Sequence, residues 1–265
     1  MTAIPWVVSP DGTPGRVWDV VDGCSPASEG CLNCYGATFA ATRGKHMARF
    51  KGLAKYVNGR GEWSGEVRLR EDALDEPLRV RKPTTFFVNS KSDLFHEKVP
   101  MEFIARAWAT MIQCLELGHR FIVLTKRPER MADFVRYAWV GRAQDRRSRH
   151  IWLGVSVENQ VRADERIHVL MATPAAVRFV SVEPMLGPVN LYWRSDWLIA
   201  GCESGPNRRP AETEWFRWLR DSCAGAGVPF FLKQMEIGGK LVKMPELDGV
   251  VWDQYPAAID AAGRV

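Results

Sequence analysis

From residue 85 onward, short apolar runs alternate with segments of helical spacing. The runs occupy residues 85–93, 121–127, 151–159, 177–184, 197–205 and 229–235. Each is rich at its start in β-branched or aromatic residues, which favour buried parallel strands, and most adjoin a helical pattern such as "MEFIARAWATMIQCLEL". This repeated β-α pattern predicts an α/β fold built on a parallel sheet.

Two earlier segments, 16–21 ("RVWDVV") and 65–71 ("GEVRLRE"), are predicted as further strands, with a helix over 34–49 between them. Crossovers between parallel strands are right-handed, so a series of about seven or eight strands closes into a barrel or opens into a doubly wound sheet. A dinucleotide-binding sheet is disfavoured because no GxGxxG follows the first strand.

The length of 265 residues suffices for one large α/β domain or for two small ones. We predict a single α/β domain over residues 1–265, a partial β/α barrel of the TIM type. Residues 1–16 are expected to form an N-terminal extension, and residues 236–265 a C-terminal extension that packs on the barrel. The sequence has no basic-then-apolar signal segment and no apolar run of about 18 residues, which predicts a cytoplasmic protein.

Polar residues end every one of the six apolar runs. In a β/α barrel the active site is built at the carboxyl ends of several strands at once. Polar groups after six consecutive strands therefore predict an active-site mouth. The residues concerned are Asn89, Ser90, Asp93, Thr125, Lys126, Arg127, Ser156, Glu158, Asn159, Ser181, Glu183, Glu203, Ser204, Lys233 and Gln234.

Three of the six cysteines lie close together in "CSPASEGCLNCY", where Cys24, Cys31 and Cys34 have the spacing C-x6-C-x2-C. Because a disulfide framework is not expected in a reducing compartment, this spacing indicates a metal, an iron–sulfur cluster or catalysis. Cys114 and Cys223 lie in helix-like stretches and are predicted to be small buried residues.

Two kinds of metal centre are compatible with the cysteine loop. A structural zinc site needs four ligands, and the fourth would be His46 or a distant cysteine. An iron–sulfur cluster held by three thiolates leaves one iron open, as a reaction centre requires. Since the loop directly follows the first predicted strand, either centre would lie at the same mouth as the polar strand ends.

The net charge of +5 and the pI of about 8.9 are a mild basic excess, which favours a polyanionic partner. The basic residues gather in segments 42–55 and 141–150, the first with Phe50 within it and Tyr56 directly after. Solvated surface charges would give the same pattern, so binding of a polyanion is a hypothesis here.

The cysteine loop and the ordered segments "NSKSDLFHE", "LTKRPERM", "LGVSVEN", "RFVSVEPMLGP", "GCESGPNRRP" and "FFLKQM" resemble a phage-associated family of radical S-adenosylmethionine (radical SAM) proteins, distantly similar to spore photoproduct lyase. The resemblance covers nearly the whole chain. It implies an incomplete β/α barrel, a [4Fe–4S] cluster on Cys24, Cys31 and Cys34, and reductive cleavage of S-adenosylmethionine to a 5′-deoxyadenosyl radical. The chain departs from the family pattern in two ways. Six residues separate Cys24 from Cys31, where the usual gap is three. The aromatic residue expected to pack near the adenine of S-adenosylmethionine is Tyr35, which follows Cys34, whereas the usual aromatic precedes the third cysteine.

In such a centre the open iron takes the amino and carboxylate groups of the methionine moiety, so the protein supplies outer polar contacts. We expect Ser90 or nearby backbone to contact the amino end and Lys126 or Arg127 to pair with the carboxylate. Ser156 and Glu158 are expected to hold the ribose hydroxyls. A surface charge at a helix start for Arg127, and a helix cap for Ser156 and Glu158, are the alternatives.

The later strands of such barrels face the substrate. Glu183 and Lys233 are predicted as catalytic residues, and Cys202 as a donor of a hydrogen atom to a product radical, its alternative being a small strand residue. His96 is expected to support a neighbouring group or to have a structural role, its alternative being a substrate contact beside Asp93. The predicted substrate contacts are Asp93, Glu203 and Gln234.

The resemblance implies an enzyme that isomerises a hypermodified thymine base in phage DNA, in the host cytoplasm if the chain is phage-encoded. A base in duplex DNA must be extruded to reach a barrel mouth, and an electron donor such as flavodoxin or ferredoxin would be a second partner. A radical SAM lyase that repairs pyrimidine lesions is one alternative. A zinc-stabilised nucleic-acid-binding protein without catalysis is the other.

Overall fold

The computed structural model describes residues 4–138, 150–192, 195–205 and 207–257. Most of the second basic stretch, residues 141–149, lies outside the described residues, as do the outer parts of both predicted extensions, residues 1–3 and 258–265. In the segments that are described, no helix combines the length and the apolar character that a membrane span requires.

The described residues contain fourteen strands and five α-helices. The strands are β1 (Arg16–Trp18), β2 (Val21–Asp22), β3 (Ala54–Val57), β4 (Arg60–Trp63), β5 (Arg68–Leu69), β6 (Thr85–Val88), β7 (Arg120–Thr125), β8 (Ile151–Val157), β9 (Arg178–Val182), β10 (Trp197–Gly201), β11 (Phe230–Ile237), β12 (Lys240–Lys243), β13 (Glu246–Leu247) and β14 (Val250–Val251). The helices are α1 (Tyr35–Ala41), α2 (Met101–Gln113), α3 (Pro128–Ala138), α4 (Gln160–Met171) and α5 (Thr213–Ala226).

One curled sheet organises the described chain. It contains eight strands in the order β1-β6-β7-β8-β9-β10-β11-β12, with every neighbouring pair parallel except the last, β11 with β12. Each of the six apolar runs forms a strand of this sheet, so the predicted α/β class is confirmed. β1 and β12 lie at the two edges of the sheet, which therefore stays open as a half-barrel.

Helices α2 to α5 pack on the outer face of the sheet around one large apolar core. Helix α2 shows why: Phe103, Ile104, Ala107, Trp108 and Met111 recur at three- and four-residue spacing and are all buried. Such a stripe lies along one side of a helix and packs on a flat apolar surface. The strand residues of the outer face supply that surface.

The inner face of the sheet is closed at its amino-terminal end by a second apolar core. Alternate strand residues point to the same face, and here they are large and mostly aromatic. Trp6 and Val7 of the N-terminal segment fill the space between them. The strand members are Phe87, Ile122, Trp152, Phe179, Trp197, Ile199 and Phe231. Polar residues further along the same strands are therefore left to line a cavity above this core.

Three local predictions differ from the structure. The helix expected over 34–49 ends at Ala41, and strand β5 pairs antiparallel with β2 outside the main sheet. An unpredicted hairpin, β3–β4, lies between them and turns at Asn58 and Gly59, whose φ angles are 50° and 79°. Asn-Gly is the preferred dipeptide of such a type I′ turn, so the sequence did carry a signal for this hairpin.

Candidate active site

A cavity of about 690 Å³ opens at the carboxyl ends of the parallel strands. It brings together all the sequence-predicted site residues except Cys24, Glu158 and the strand-end residue Asn159. Those that line it are Cys31, Cys34, Tyr35, Ser90, Asp93, Lys126, Arg127, Ser156, Glu183, Cys202, Glu203, Lys233 and Gln234. The strand ends thus do converge, as the polar pattern predicted.

The loop with Cys24, Cys31 and Cys34 forms one wall of this cavity, and all three are free cysteines of intermediate residue exposure. Burial of the sulfur raises the pKa of Cys24 to about 12, and burial also raises the pKa of Cys34. Within the described part of the chain, no three His, Cys, Asp or Glu side chains are arranged to hold a metal ion as they stand.

The chemistry around the sulfurs nevertheless suits a thiolate-bound cluster. The backbone N–H of Ala27 donates to Cys31 Sγ at 3.4 Å. The Trp63 side chain and the backbone N–H groups of Gly36 and Ala37 lie near the Cys34 sulfur, where they oppose the effect of burial on its pKa. Hydrogen bonds to sulfur are a means by which proteins stabilise and tune iron–sulfur clusters, so the donor set fits that group.

Two ion-paired groups fix the cysteine loop to the sheet and to helix α4. Glu29 accepts hydrogen bonds from Arg162 at 2.9 and 3.0 Å and from the Asn159 amide at 2.5 Å. These contacts lower the pKa of Glu29 to about 2, and the hydrogen bond from Arg162 is the main cause. Glu203 accepts from Asn33 Nδ2 at 2.8 Å and is ion-paired with Arg209. Burial opposes ionisation of Glu203, but these hydrogen bonds outweigh it and lower its pKa. Glu203, predicted to contact substrate, therefore also holds the loop.

Glu158 lies beneath the loop and is not among the residues that line the cavity, so its contact with the ribose stays a prediction. Its side chain is fully buried, accepts from Ser28 Oγ at 3.0 Å, and is ion-paired with Lys126 and with Arg166. Gly30 rests directly on it, since a Cβ at Gly30 would come within 2.4 Å of Glu158 Cγ. The carboxylate therefore supports the loop from below.

Arg127 is held by protein groups, which changes the role expected for it. Its Nε donates to Glu97 at 2.8 Å, its Nη1 to Asp93 at 3.2 Å, and its Nη2 to Ser25 Oγ at 2.9 Å. Nη1 also lies 4.0 Å from Cys24 Sγ. The guanidinium thus places a fixed positive charge beside the first cysteine. Lys126 is ion-paired with Glu158, but it lines the cavity and its side chain is 20% exposed.

Asp93 holds Arg127 and the end of strand β7 in place. Its carboxylate accepts from Thr125 Oγ1 at 2.8 and 2.9 Å, from the Lys126 N–H at 3.2 Å and from Arg127. Asp93 is 5% exposed, so its carboxylate is largely taken up by these protein donors.

His96 also acts on the cysteine loop. Its Nδ1 accepts the N–H of Lys98 at 3.1 Å, so Nε2 carries the proton and donates to Ser25 Oγ at 2.8 Å. Ser25 Oγ in turn donates to Glu97 at 2.9 Å. Burial is the main cause that lowers the pKa of His96, consistent with a neutral ring that positions Ser25. This is the structural role expected from the sequence.

Strand β6 and helix α1 contribute a second polar group to the cavity. Ser90 donates through its N–H and its hydroxyl to Asp19 Oδ1 at 2.8 and 3.1 Å, and Lys91 pairs with Asp19 at 2.9 Å. The Tyr35 hydroxyl donates to the carbonyl of Ser90. Asn89 lies one residue earlier, with a φ of 58° and a side chain that is 4% exposed.

On the opposite side, Glu183 pairs with Lys233 at 2.7 Å and accepts from Ser181 Oγ at 3.0 Å. Gly201 leaves room for this carboxylate, because a Cβ there would lie 2.6 Å from Glu183 Oε1. The Gln234 amide donates to the carbonyl of Cys202 at 2.7 Å. These strand ends form the part of the cavity wall that lies away from the loop.

Several residues in this region had no predicted role. Arg162 and Arg166 lie on one side of helix α4, and Arg209 lies in the loop after β10. In the sequence these three arginines have the same pattern as ordinary surface charges. Trp63 lies on the unpredicted hairpin, and only the Asn-Gly turn beside it could have revealed its position. Asn89 was noticed as a strand-end residue, but its buried amide becomes evident only from the structure.

Comparison with known proteins gives one family and one distant structural likeness. A structure of a cysteine-to-serine mutant of spore photoproduct lyase is similar over 78% of this chain, with 11% sequence identity and a TM-score of 0.37. The likeness spans 60% of that protein's chain. No curated protein matches the sequence. The model of the family described as "Protein of unknown function (DUF5131)" matches residues 2–256, and the chain belongs to this family.

Proposed function

We propose that the protein is a radical SAM enzyme that acts on a modified base in DNA. The observation that carries the proposal is the loop of three free cysteines, which forms a wall of a polar cavity and is fixed there by buried ion pairs. A loop held so firmly, with N–H donors directed at its sulfurs, has the chemistry of a cluster-binding loop.

Cys24, Cys31 and Cys34 would hold a [4Fe–4S] cluster, which when bound supplies the electron that cleaves S-adenosylmethionine to a 5′-deoxyadenosyl radical. Around it the chain's own groups compensate charge and exclude water. The Arg127 guanidinium stands 4.0 Å from Cys24 Sγ, where it stabilises a thiolate, and the Trp63 side chain favours the thiolate of Cys34 by lowering its pKa against the effect of burial.

S-adenosylmethionine would lie between the loop and the ends of β6 to β8. Lys126 is the cation proposed for its carboxylate, because it lines the cavity and has one anionic partner, Glu158, whereas Arg127 is held by three protein partners. Tyr35, Ser90 and Ser156 line the same part of the cavity and supply a ring and two hydroxyls.

The substrate would lie against β9 to β11. The Lys233–Glu183 pair there can hold a proton at Nζ close to the reacting group. Burial raises the pKa of Cys202 to about 11, so at neutral pH its sulfur carries the hydrogen that a thiol donor needs. Gln234 offers an amide for hydrogen bonds to a polar base edge.

DNA is the proposed polymer because a basic surface adjoins the cavity. Arg43, Lys45, Lys51 and Lys55 are exposed, and Arg43 also lines the cavity. Tyr56 is 52% exposed beside them and offers an aromatic face. Such a surface would meet phosphates while an extruded base enters the cavity. The reaction proposed is isomerisation of a hypermodified thymine, with reduction by flavodoxin or ferredoxin.

The test is formation of 5′-deoxyadenosine by reduced, reconstituted protein. We expect product to form faster with modified phage DNA than with unmodified DNA or with none. The Cys31→Ala variant should form no product, whereas Cys223→Ala, a buried cysteine that is 2% exposed and outside the cavity lining, should behave as wild type. Stimulation by free nucleosides or amino acids, without a response to DNA, would assign the chain to small-molecule chemistry instead.

A further inference from the structure

Two buried N–H donors in the cavity have no protein partner. In the described part of the chain, Asn89 Nδ2 and Trp6 Nε1 are among the buried polar atoms without a hydrogen bond. Both residues line the cavity, and they are 4% and 2% exposed. A buried donor left unpaired is costly, and most such groups in folded proteins have a partner, so each unpaired one requires an explanation.

The orientation of the Asn89 amide is fixed by its own neighbours. Its Oδ1 accepts the backbone N–H groups of Val20 at 2.8 Å and of Val21 at 3.2 Å. An amide flipped by 180° would place NH₂ against those two donors, so the assignment of oxygen and nitrogen is secure. The NH₂ group is therefore the end of this cavity-lining side chain that remains for a ligand.

Trp6 is held equally firmly. Its ring packs edge-on against Phe87, with centroids 4.9 Å apart, and against Trp197 at 6.0 Å. Phe87 lies two residues before Asn89, which follows β6 with a left-handed backbone, and Trp6, Phe87 and Asn89 all line the cavity. Val17 and Leu124 line the same region and are apolar. We call these residues, Trp6, Val17, Phe87, Asn89 and Leu124, the aromatic floor.

The carboxylates of the cavity are engaged elsewhere. Asp93 accepts from Thr125 and Arg127, and Glu203 accepts from Asn33 and Arg209. Glu183 accepts from Ser181 and is ion-paired with Lys233. None of the three carboxylates accepts from Asn89 Nδ2 or Trp6 Nε1. An acceptor for Asn89 Nδ2 and Trp6 Nε1 would therefore come from a bound molecule. Both donors are neutral, which suits a neutral carbonyl oxygen, whereas a carboxylate or phosphate is better served by the cations of the cavity.

We propose that the aromatic floor binds the reacting part of the substrate as a flat ring that carries carbonyl oxygens. The ring lies among the apolar and aromatic side chains, and its oxygens accept from Asn89 Nδ2 and Trp6 Nε1. A pyrimidine with two carbonyl groups has this chemistry, and adenine, which has none, does not. This inference rests on the proposed function in one respect, that the same cavity is the place of reaction.

The test is equilibrium binding of thymidine and of 2′-deoxyadenosine to the full chain, measured by calorimetry. Asn89→Asp keeps the side-chain shape and the two bonds from Val20 and Val21 but replaces the donor by an acceptor. We expect wild type to prefer thymidine, Asn89→Asp to bind it at least about tenfold more weakly, and Trp6→Phe to bind it several-fold more weakly. Matched controls outside the cavity are the exposed residues Asn190 and Trp218, as Asn190→Asp and Trp218→Phe.

Equal binding of the two nucleosides, no binding of thymidine, or unchanged affinity in Asn89→Asp would overturn the proposal. Weaker S-adenosylmethionine binding with unchanged thymidine affinity would also overturn it, because Asn89 would then serve the cofactor. If Asn89→Asp does not fold, the side-chain amide resonances of ¹⁵N-asparagine-labelled wild type give the answer, since thymidine must shift the Asn89 signal. Iron content of wild type is measured in parallel, so failure of the proposed function is seen separately.

Discussion

Replacing Glu158 by Gln should destabilise the protein strongly, because it leaves two cations without their anion. The Glu158 side chain has no exposed surface, and its partners Arg166 and Lys126 are 5% and 20% exposed. Removal of one member of a buried ion pair costs about 3–5 kcal/mol, since the remaining charge stays buried. We expect about 3 kcal/mol, the lower end of that range, because Lys126 keeps some contact with water.

For a chain of this size, about 3 kcal/mol corresponds to a fall in Tm of about 6–12 °C. Glu158→Gln preserves the shape of the side chain, so the loss reports on charge and not on packing. The measurements are thermal unfolding and urea unfolding of the metal-free protein, followed by circular dichroism. Glu165→Gln is the matched control: Glu165 pairs with Arg162 on the same helix at 2.6 Å but is 50% exposed, so its loss should cost less than about 0.5 kcal/mol.

The same variant should loosen the cysteine loop, because Gly30 rests on the Glu158 carboxyl. Cys31 and Cys34 should then react faster with a thiol reagent, at equal pH, than they do in wild type. A Glu158→Gln variant with wild-type stability and wild-type thiol reactivity would refute the view that this buried carboxylate supports the loop.

Further predictions concern packing, pH and charge. Gly30→Ala should cost about 1–3 kcal/mol in urea unfolding, because its Cβ would lie 2.4–2.7 Å from the Glu158 carboxyl group, whereas Gly225→Ala, with open space around it, should be tolerated. The pKa of Glu97 is lowered to about 2 against the effect of burial, by a backbone hydrogen bond and by Arg127. The stability it contributes is present above its ordinary pKa of 4.5 and is lost as pH falls towards 2, so the difference between wild type and Glu97→Gln should be present at pH 6 and absent near pH 2. DNA binding should weaken with salt, and Lys51→Ala should reduce the slope of log K against log salt by about 1.

The strands and their polar ends could be predicted from the sequence because both depend on local pattern. Apolar runs of strand length identify β6 to β11, and the rule that parallel strands end together brings Ser156, Glu183 and Lys233 to one cavity. Each of these statements needs only the residues within one segment. The strand order, and the antiparallel β12 that ends the sheet at one edge, are known from the structure; β12 was not among the predicted strands.

The contacts that give each strand-end residue its role could not be predicted, because they join distant segments. Glu158 meets Ser28 across 130 residues, and Arg127 meets Ser25 across 102. A carboxylate at a strand end has the same local pattern whether it faces the cavity or lies beneath a loop. Glu158 was predicted to contact the ribose from that pattern, and only the structure shows that Gly30 rests on it.

The most direct measurement of the central claim is the metal content of anaerobically reconstituted protein. If Cys24, Cys31 and Cys34 hold a cluster beside the cavity, the wild-type chain should take up about four irons and four sulfides and show the corresponding brown chromophore. Alanine at any one of the three should abolish that chromophore, and alanine at Cys114 or Cys223, which are buried outside the cavity lining, should leave it intact. Stoichiometric zinc with no uptake of iron would contradict the account and make the loop a structural zinc site.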